Sequence, residues 1–236
     1  MADLDRYSDK NSVTQDNQLI EAGYTLTLNE KRLLALGMSK VDPTRYVPPG
    51  ELHSFEISVK DWEGVFNEDN PWRTMKRAAD GLMSRYVTLH PRTGMVHKIN
   101  WFDSVQYFED EARMVVTFSA SIHLRLANIY EQFTSYQLRE IAPFKSFYTV
   151  RLWELLSQFK STGYCKKSLD DFRFAMDCIH TYPTTKQLKQ RVVAPAVKEL
   201  NKKTEWDIEQ RDVKRGRAIV GFEFIVRSKT QDDLFR

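Results

Sequence analysis

Cysteine and histidine are too few and too scattered in this sequence to build a metal centre. The two cysteines, Cys165 and Cys178, form no CxxC pair and supply too few ligands for a structural zinc site. No two histidines have an HxH or HxxxH spacing; the five are His53, His90, His97, His123 and His180. We therefore predict no metal ion and no cofactor, and two reduced thiols in a cytoplasmic protein.

Long apolar runs and nucleotide-binding motifs are also missing. No stretch approaches the roughly 18–20 apolar residues that span a bilayer, so no membrane segment is predicted. The pattern GxxxxGK[ST] does not occur, which excludes a P-loop ATPase. The first residues, MADLDRYSDKNSVTQDNQ, are polar and acidic and hold no apolar segment like that of a signal peptide. We expect residues 1–23 to form a disordered or loose arm.

Charge is present but unevenly distributed. Residues 1–131 hold 15 Lys and Arg against 19 Asp and Glu, whereas residues 132–236 hold 20 against 13. The excess of positive charge in the second half indicates a polyanionic partner for that half. A basic face that is merely solvated would give the same totals, so charge alone does not decide between the two.

Helix caps and turns follow the same order in both halves of the chain. Capping-box spacing occurs at Ser58 and Asp61 and again at Ser168 and Asp171. In the first half a longer helix follows from Pro71, and then a hairpin around the turn EDEA. In the second half a longer basic helix follows, and then the strands EWDIEQ and AIVGFEFIV.

This order, with short helices, a longer helix and a β-hairpin, is that of a winged helix. We therefore predict an α+β fold with two tandem winged-helix domains. The first domain is expected to cover residues 24–131 and the second to cover residues 132–236.

The longer helix of the second half, which we call the cationic helix, is predicted from TTKQLKQRVVAPAVKELNKKT at residues 184–204. This stretch holds six lysines and arginines against one glutamate, and it begins with capping-box spacing at Thr184 and Gln187. Pro195 lies in its middle, but the apolar pattern stays in phase on both sides, so we predict one bent helix rather than two. The apolar face is formed by Leu188, Val192, Val193, Ala196, Val197 and Leu200.

The polar face of this helix has side chains that suit duplex DNA. Lysine and arginine donate to guanine O6 and N7, and glutamine pairs with the adenine edge. We predict that the first turns contact DNA through Thr184, Thr185, Lys186, Gln187, Lys189, Gln190 and Arg191. The basic turn RDVKRGR predicts a wing that follows the DNA backbone or enters the minor groove, through Lys214, Arg215 and Arg217. A solvated amphipathic helix beside an incidentally basic turn is the alternative.

The corresponding helix of the first half carries Arg73, Lys76 and Arg77, which we predict to be secondary DNA contacts. Its hairpin tip, EDEA, is acidic and would repel phosphate. The long hairpin itself, rich in β-branched and aromatic residues, is a better candidate for pairing with another protein along an exposed edge.

Three blocks of the sequence, SYQLREIA, YTVRLWELL and LKQRVVAPAVKELN, resemble in order and spacing the replication initiator (Rep) proteins of iteron-containing bacterial plasmids. The similarity runs from about Tyr24 to Val226, and the proline of the family's recognition-helix block matches Pro195. The resemblance implies two winged-helix domains. It also implies monomers that bind directly repeated iterons in double-stranded origin DNA, mainly through the second domain.

The same resemblance implies further partners. Bound monomers would help to open an AT-rich region and would recruit the host initiator and the replicative helicase. Dimers, joined largely through the first domain and in equilibrium with monomers, would act as repressors of the protein's own gene or as inactive stores. The protein would act in the bacterial cytoplasm, on plasmid or nucleoid DNA.

Two other functions are set against this one. Some plasmid initiators are nicking enzymes with a tyrosine nucleophile beside an HxH-type metal site; this sequence has no such histidine pair, so no catalytic residue is predicted. A winged-helix transcriptional repressor without initiator activity would carry the same DNA-binding side chains and stays the alternative.

Overall fold

The computed structural model describes residues 11–46, 48, 51–52, 54–89, 96–127, 129 and 131–229. His53 and His90, two of the histidines considered as metal ligands, lie outside these residues. The chain divides into two compact units, Met1–Ala142 and Pro143–Arg236, which we call the first unit and the second unit.

The first unit combines short and long helices with small antiparallel sheets. Its helices and strands are, in chain order, β1 (Ser12–Asp16), α1 (Asn17–Ile20), α2 (Leu28–Met38), β2 (Ser54–Ser58), α3 (Val59–Glu63), α4 (Pro71–Met83), β3 (Tyr86–Leu89), β4 (His97–Asn100), β5 (Phe102–Phe108), β6 (Arg113–Phe118), α5 (Ala120–His123), β7 (Phe133–Gln137) and α6 (Leu138–Ile141). A single 3₁₀ turn, Glu109–Glu111, joins β5 to β6.

The winged-helix order appears in the first unit as α2, α3 and α4 followed by the hairpin of β5 and β6. Strand β2 pairs with the other side of β6, which gives the sheet order β2-β6-β5. Strands β3 and β4 form a separate antiparallel pair between α4 and β5. Apolar side chains from the helices and the sheet are buried together and form the core of this unit; among them are Leu33, Leu34, Met75, Leu82, Val116 and Phe118.

The beginning of the described chain is not a loose arm. Strand β1 pairs with β7 over five residues, with Val13 opposite Tyr136. Val13 and Leu19 are completely buried. The expectation of a loose arm over residues 1–23 is therefore wrong for residues 12–23, because their apolar side chains complete the first unit; residues 1–10 lie outside the described chain.

The same strand pairing moves the domain boundary. Because β7 pairs with β1, the chain remains in the first unit through β7 and α6. The first unit thus extends to Ala142, whereas the sequence predicted a boundary after residue 131.

The second unit has the same order with fewer additions. Its elements are α7 (Phe147–Ser157), β8 (Tyr164–Ser168), α8 (Leu169–Ala175), α9 (Thr185–Leu188), a π-helical turn (Lys189–Val193), α10 (Ala194–Lys203), β9 (Trp206–Arg215) and β10 (Ala218–Ser228). The three strands form one antiparallel sheet in the order β8-β10-β9. Strand β8, with the sequence YCKKS, has too little apolar character for sequence patterning to find it.

Aromatic side chains fill the core of the second unit. Trp153 of α7 stacks on Trp206 of β9 with ring centroids 3.9 Å apart. Phe172 of α8 packs against Phe222 and Phe224 of β10. The sheet is thereby fixed to the helices, and the hairpin of β9 and β10 projects from a rigid base.

Candidate nucleic-acid interface

The cationic helix begins at the capping box that the sequence predicts. The Thr184 hydroxyl accepts a hydrogen bond from the Gln187 N–H at 3.2 Å, and Gln187 Oε1 accepts the Thr184 N–H at 3.3 Å. Both residues are exposed. Their side chains are thus engaged in the cap, which leaves the Gln187 amide nitrogen as the group able to donate to a ligand.

An arginine that sequence reasoning missed holds the segment before this cap. Arg173 of α8 donates to the backbone carbonyls of Tyr182 and Pro183, the latter at 3.2 Å. These two carbonyls directly precede Thr184. The start of the cationic helix is therefore tied to α8, and no local sequence signal pairs Arg173 with carbonyls nine and ten residues away.

As predicted, the helix continues through Pro195 instead of breaking. The backbone opens into a π turn at Lys189–Val193, in which the Ala194 N–H bonds to the carbonyl of Lys189, five residues back. Pro195 then occupies the first turn of α10, where a missing N–H is tolerated. The wider turn is the distortion that this proline requires, and the helix is continuous over residues 185–203.

The helix has one buried face and one exposed face. The buried face is the predicted one, except that Val197 is only partly buried; its members are Leu188, Val192, Val193, Ala196 and Leu200, each at most 1% exposed. The exposed face carries Lys186, Gln187, Gln190, Arg191, Ala194, Pro195, Lys198 and Lys202. Thr185 lies between the two faces and is partly buried.

Lys189 is engaged within the protein. Its ammonium nitrogen lies 2.8 Å and 2.7 Å from the two carboxylate oxygens of Asp212 on β9. Asp212 also accepts a hydrogen bond from the Gln210 amide at 3.0 Å. Burial opposes ionisation of Asp212, but the hydrogen bonds from Lys189 and Gln210 and the nearby positive charges outweigh it and lower its pKa. The structure therefore separates Lys189 from the exposed cations with which the sequence grouped it.

The wing is the hairpin tip between β9 and β10. Arg215 pairs with Ala218 across a turn formed by Gly216 and Arg217, and Gly216 has a left-handed backbone with φ of 61°. Lys214, Arg215 and Arg217 are exposed, and none has a described carboxylate within ion-pair distance. The three predicted wing cations thus lie at one tip without an ion pair, although the charge of Lys214 helps to lower the pKa of Asp212. Arg211, lower on β9, is instead paired with Glu209 at 2.6 Å.

The helix of the first unit presents fewer free cations than the sequence suggested. Arg73 and Arg77 of α4 are exposed and have no described ion-pair partner, but Lys76 is paired with Glu109 of the hairpin tip. Arg113 is paired with Glu111 at 2.7 Å. The acidic tip is thus largely neutralised within its own unit, and Lys76 is occupied.

Glu199 fixes the far end of the cationic helix. Its carboxylate accepts the Lys145 N–H at 2.8 Å and the Thr149 hydroxyl at 2.7 Å, and it pairs with Lys203 at 2.6 Å. Burial opposes ionisation of Glu199, but the hydrogen bonds from these three residues lower its pKa overall. A lowered pKa in the folded state means that the ionised form stabilises the fold above the ordinary glutamate pKa. That contribution is lost as the pH falls through the folded-state value.

We expect Glu199→Gln to lower the free energy of unfolding of the second unit by about 1–3 kcal/mol at pH 7, since hydrogen bonds to a charged group are lost. The difference between wild type and variant should shrink as the pH falls below the ordinary glutamate range, because protonation removes the same charge. Urea unfolding followed by the indole N–H NMR signals of Trp153 and Trp206 at several pH values measures this for the second unit. The matched control is Glu205→Gln, at an exposed glutamate with no described side-chain partner. A difference that stays constant down to pH 3 would contradict the assignment.

Within the described residues, no group of three or more His, Cys, Asp or Glu side chains is placed to hold a metal ion. No helix in the described ranges is long and apolar enough to cross a membrane.

Comparison with known proteins identifies two winged-helix domains, although the first match extends past Ala142 through α7. A family model described as initiator replication protein, WH1, matches residues 12–157, and one described as initiator Rep protein, WH2, matches residues 168–226. A replication initiation protein of Escherichia coli is 25% identical over 230 residues, which cover 94% of this chain and 71% of that protein. An uncharacterized 27.6 kDa protein of Escherichia coli is 27% identical over 214 residues, which cover 83% of this chain and 87% of that protein.

A solved structure shares the fold. The crystal structure of the Pi initiator protein in complex with iteron DNA aligns with a TM-score of 0.75 at 19% sequence identity, over 94% of this chain and all of that one. The predicted α+β fold with two tandem winged-helix domains is thereby confirmed. With both of its winged-helix domains matched, the chain belongs to the initiator replication protein family.

Proposed function

We propose that this protein is a plasmid replication initiator that binds directly repeated origin sites, or iterons, in a sequence-specific manner. The observation that carries the proposal is the exposed polar face of the cationic helix beside a free basic wing, in a chain of the initiator replication protein family. The structural relative described above was solved with iteron DNA bound to it, which supports the same class of ligand.

In this proposal the cationic helix enters the major groove. Gln190 and Arg191 lie on the exposed face and offer the donors that pair with adenine and guanine edges. The exposed methyl group of Ala194, beside them, suits contact with a thymine methyl. Lys186, Lys198 and the N-terminal amides of the helix are suited to phosphate.

The wing supplies contacts that do not depend on sequence. Lys214, Arg215 and Arg217 project from a two-residue turn and have no internal ion pair among the described residues. Such a tip neutralises phosphates along the adjacent backbone or enters a narrow minor groove. Arg73 and Arg77 of the first unit are proposed as secondary phosphate contacts, whereas Lys76 is held by Glu109.

The first unit is proposed to mediate dimer formation. Strand β5 lies at one edge of the sheet β2-β6-β5, and an edge strand can pair with a strand of a second copy. Monomers would bind the repeats, open the origin and recruit the host initiator and the helicase in the bacterial cytoplasm. Dimers would repress the protein's own gene.

A footprint on the plasmid's own origin tests this proposal. We expect protected segments at a fixed spacing that match the direct repeats, and strand opening of a neighbouring AT-rich region at higher occupancy. Uniform protection without repeats would contradict sequence-specific binding. Repeated protection without any strand opening, together with plasmid maintenance that does not need the gene, would instead identify a transcriptional repressor.

A further inference from the structure

The cationic helix and the wing are joined by one ion pair, Lys189 with Asp212, which we call the helix–wing pair. Lys189 is the first residue of the π turn, and Asp212 lies on β9 three positions before the strand ends at Arg215. Both carboxylate oxygens of Asp212 accept from the Lys189 ammonium group, at 2.8 Å and 2.7 Å. The two side chains are 35% and 18% exposed, so water screens this pair less than it would a pair at the open surface.

Near the helix–wing pair, the hairpin changes from part of a three-stranded sheet to a two-stranded ribbon. Strand β8 pairs with β10 only over Gly221–Ile225, so beyond that point the wing is a two-stranded ribbon. The register between β9 and β10 also shifts between Ile219 and Gly221, which places a bulge where the ribbon leaves the sheet. A two-stranded ribbon with a bulge at its base bends readily, because one ladder position is unpaired there.

The helix–wing pair lies just below this weak point, at the end of the three-stranded sheet from which the ribbon leaves. Asp212 is opposite Phe222, one residue pair below the bulge, and its carboxylate is further fixed by the Gln210 amide at 3.0 Å. Lys189 reaches it from the helix, at the turn that precedes Pro195. The pair thus connects the base of the wing to the middle of the DNA-facing helix.

Lys189 also differs from the exposed cations around it. Described carboxylates lie outside ion-pair distance of Lys186, Arg191, Lys198 and Lys202 on the helix, and of the three wing cations. An ammonium group that donates to both oxygens of a carboxylate has one of its three donors left, and the carboxylate already compensates its charge, so it is less suited to a guanine or a phosphate than the unpaired cations are.

We propose that Lys189 is a positioning residue and not a DNA contact: through Asp212 it fixes the wing relative to the cationic helix, so that both engage the same DNA site. This inference rests on the proposed function. It predicts that the loss of either partner loosens the wing and lowers specific binding, whatever the change in net charge.

Because the two partners carry opposite charges, replacing each in turn distinguishes a positioning role from an effect of net charge. Lys189→Met removes a positive charge and Asp212→Asn removes a negative one. We expect both variants to lower the ratio of origin-repeat affinity to random-duplex affinity by about ten-fold, as for the removal of one of two coupled interactions. If Lys189 contacted DNA directly, Asp212→Asn would free it and would tighten binding.

The matched controls are Lys160→Met, at an exposed lysine of the second unit outside the helix and the wing, and Asp207→Asn on β9, neither of which has a described ion-pair partner. Each repeats one charge change without breaking the pair, and each should leave the affinity ratio unchanged. The charge-swapped double variant, Lys189→Asp with Asp212→Lys, should recover most of the ratio. Hydroxyl-radical footprinting should show that wing protection disappears in the single variants and returns in the swap.

The possible results distinguish failure of the proposed function from failure of the positioning role. A wild-type protein without preference for its origin repeats would contradict the proposed function itself. A wild-type preference combined with an unchanged or higher ratio of origin-repeat to random-duplex affinity in Asp212→Asn would overturn the positioning role alone. If a single replacement unfolds the second unit in a thermal melt, the swap decides: a ratio near that of wild type supports the inference, and a ratio as low as that of a DNA-contact variant overturns it.

Discussion

The double variant Gln190→Ala, Arg191→Ala is expected to lose most of its preference for origin repeats over random duplex. Both side chains are exposed on the DNA-facing side of the cationic helix. A bidentate pair between a side chain and a base contributes about 1–3 kcal/mol of discrimination, so the loss of two should lower the affinity ratio by about 30-fold or more. Competition titration of a labelled origin fragment against random DNA of equal length measures that ratio.

The control for this variant is Lys160→Ala, which removes an exposed cation of the second unit outside the helix and the wing. It should leave the ratio within about two-fold of wild type, as expected for a surface change away from the site. Random-duplex affinity should fall only modestly in the double variant, since only one charge is removed. If the preference persists in the double variant, the bases are contacted by other residues.

Replacing Lys214, Arg215 and Arg217 together with serine should weaken binding to every duplex by a similar factor. The wing tip holds three exposed cations, and the removal of each cation that neutralises a phosphate reduces the slope of log affinity against log salt by about 0.9. The triple variant should therefore show a slope about 2–3 smaller in magnitude than that of wild type.

Titrations at four or five salt concentrations, with origin and random duplexes in parallel, measure these slopes. A matched comparison is Arg211→Ser. Because Arg211 is paired with Glu209, its replacement should change the slope of log affinity against log salt little. An effect of the triple variant on the origin fragment alone would mean that the wing contacts base edges rather than the backbone.

Local signals in the sequence were sufficient for much of the fold. The capping boxes at Ser58 and Thr184 form as their spacing indicates, because a cap depends on residues three positions apart. The apolar stripe of the cationic helix also predicted its buried face. Strand β1 was missed because its partner, β7, lies more than a hundred residues away, and no local pattern specifies such a pairing.

The sequence predicted which residues form the candidate site, but not the ion pairs that some of them make within the protein. The exposed face and the free wing cations follow from periodicity and turn chemistry. The pairing of Lys189 with Asp212 depends on how β9 packs beside the helix, and that of Lys76 with Glu109 depends on the hairpin turning back to α4. Two lysines that sequence alone assigned to DNA are therefore engaged within the protein.

The proposed function depends above all on base contacts made in the major groove by the exposed face of the cationic helix. Dimethyl sulfate reacts with guanine N7 in that groove, so N7 protection in the origin repeats should be compared between wild type and Arg191→Ala. We predict at least one guanine per repeat that is protected by wild type, exposed in Arg191→Ala, and still protected in the wing triple variant at saturating protein. Guanines that react equally with and without saturating wild-type protein would contradict major-groove binding.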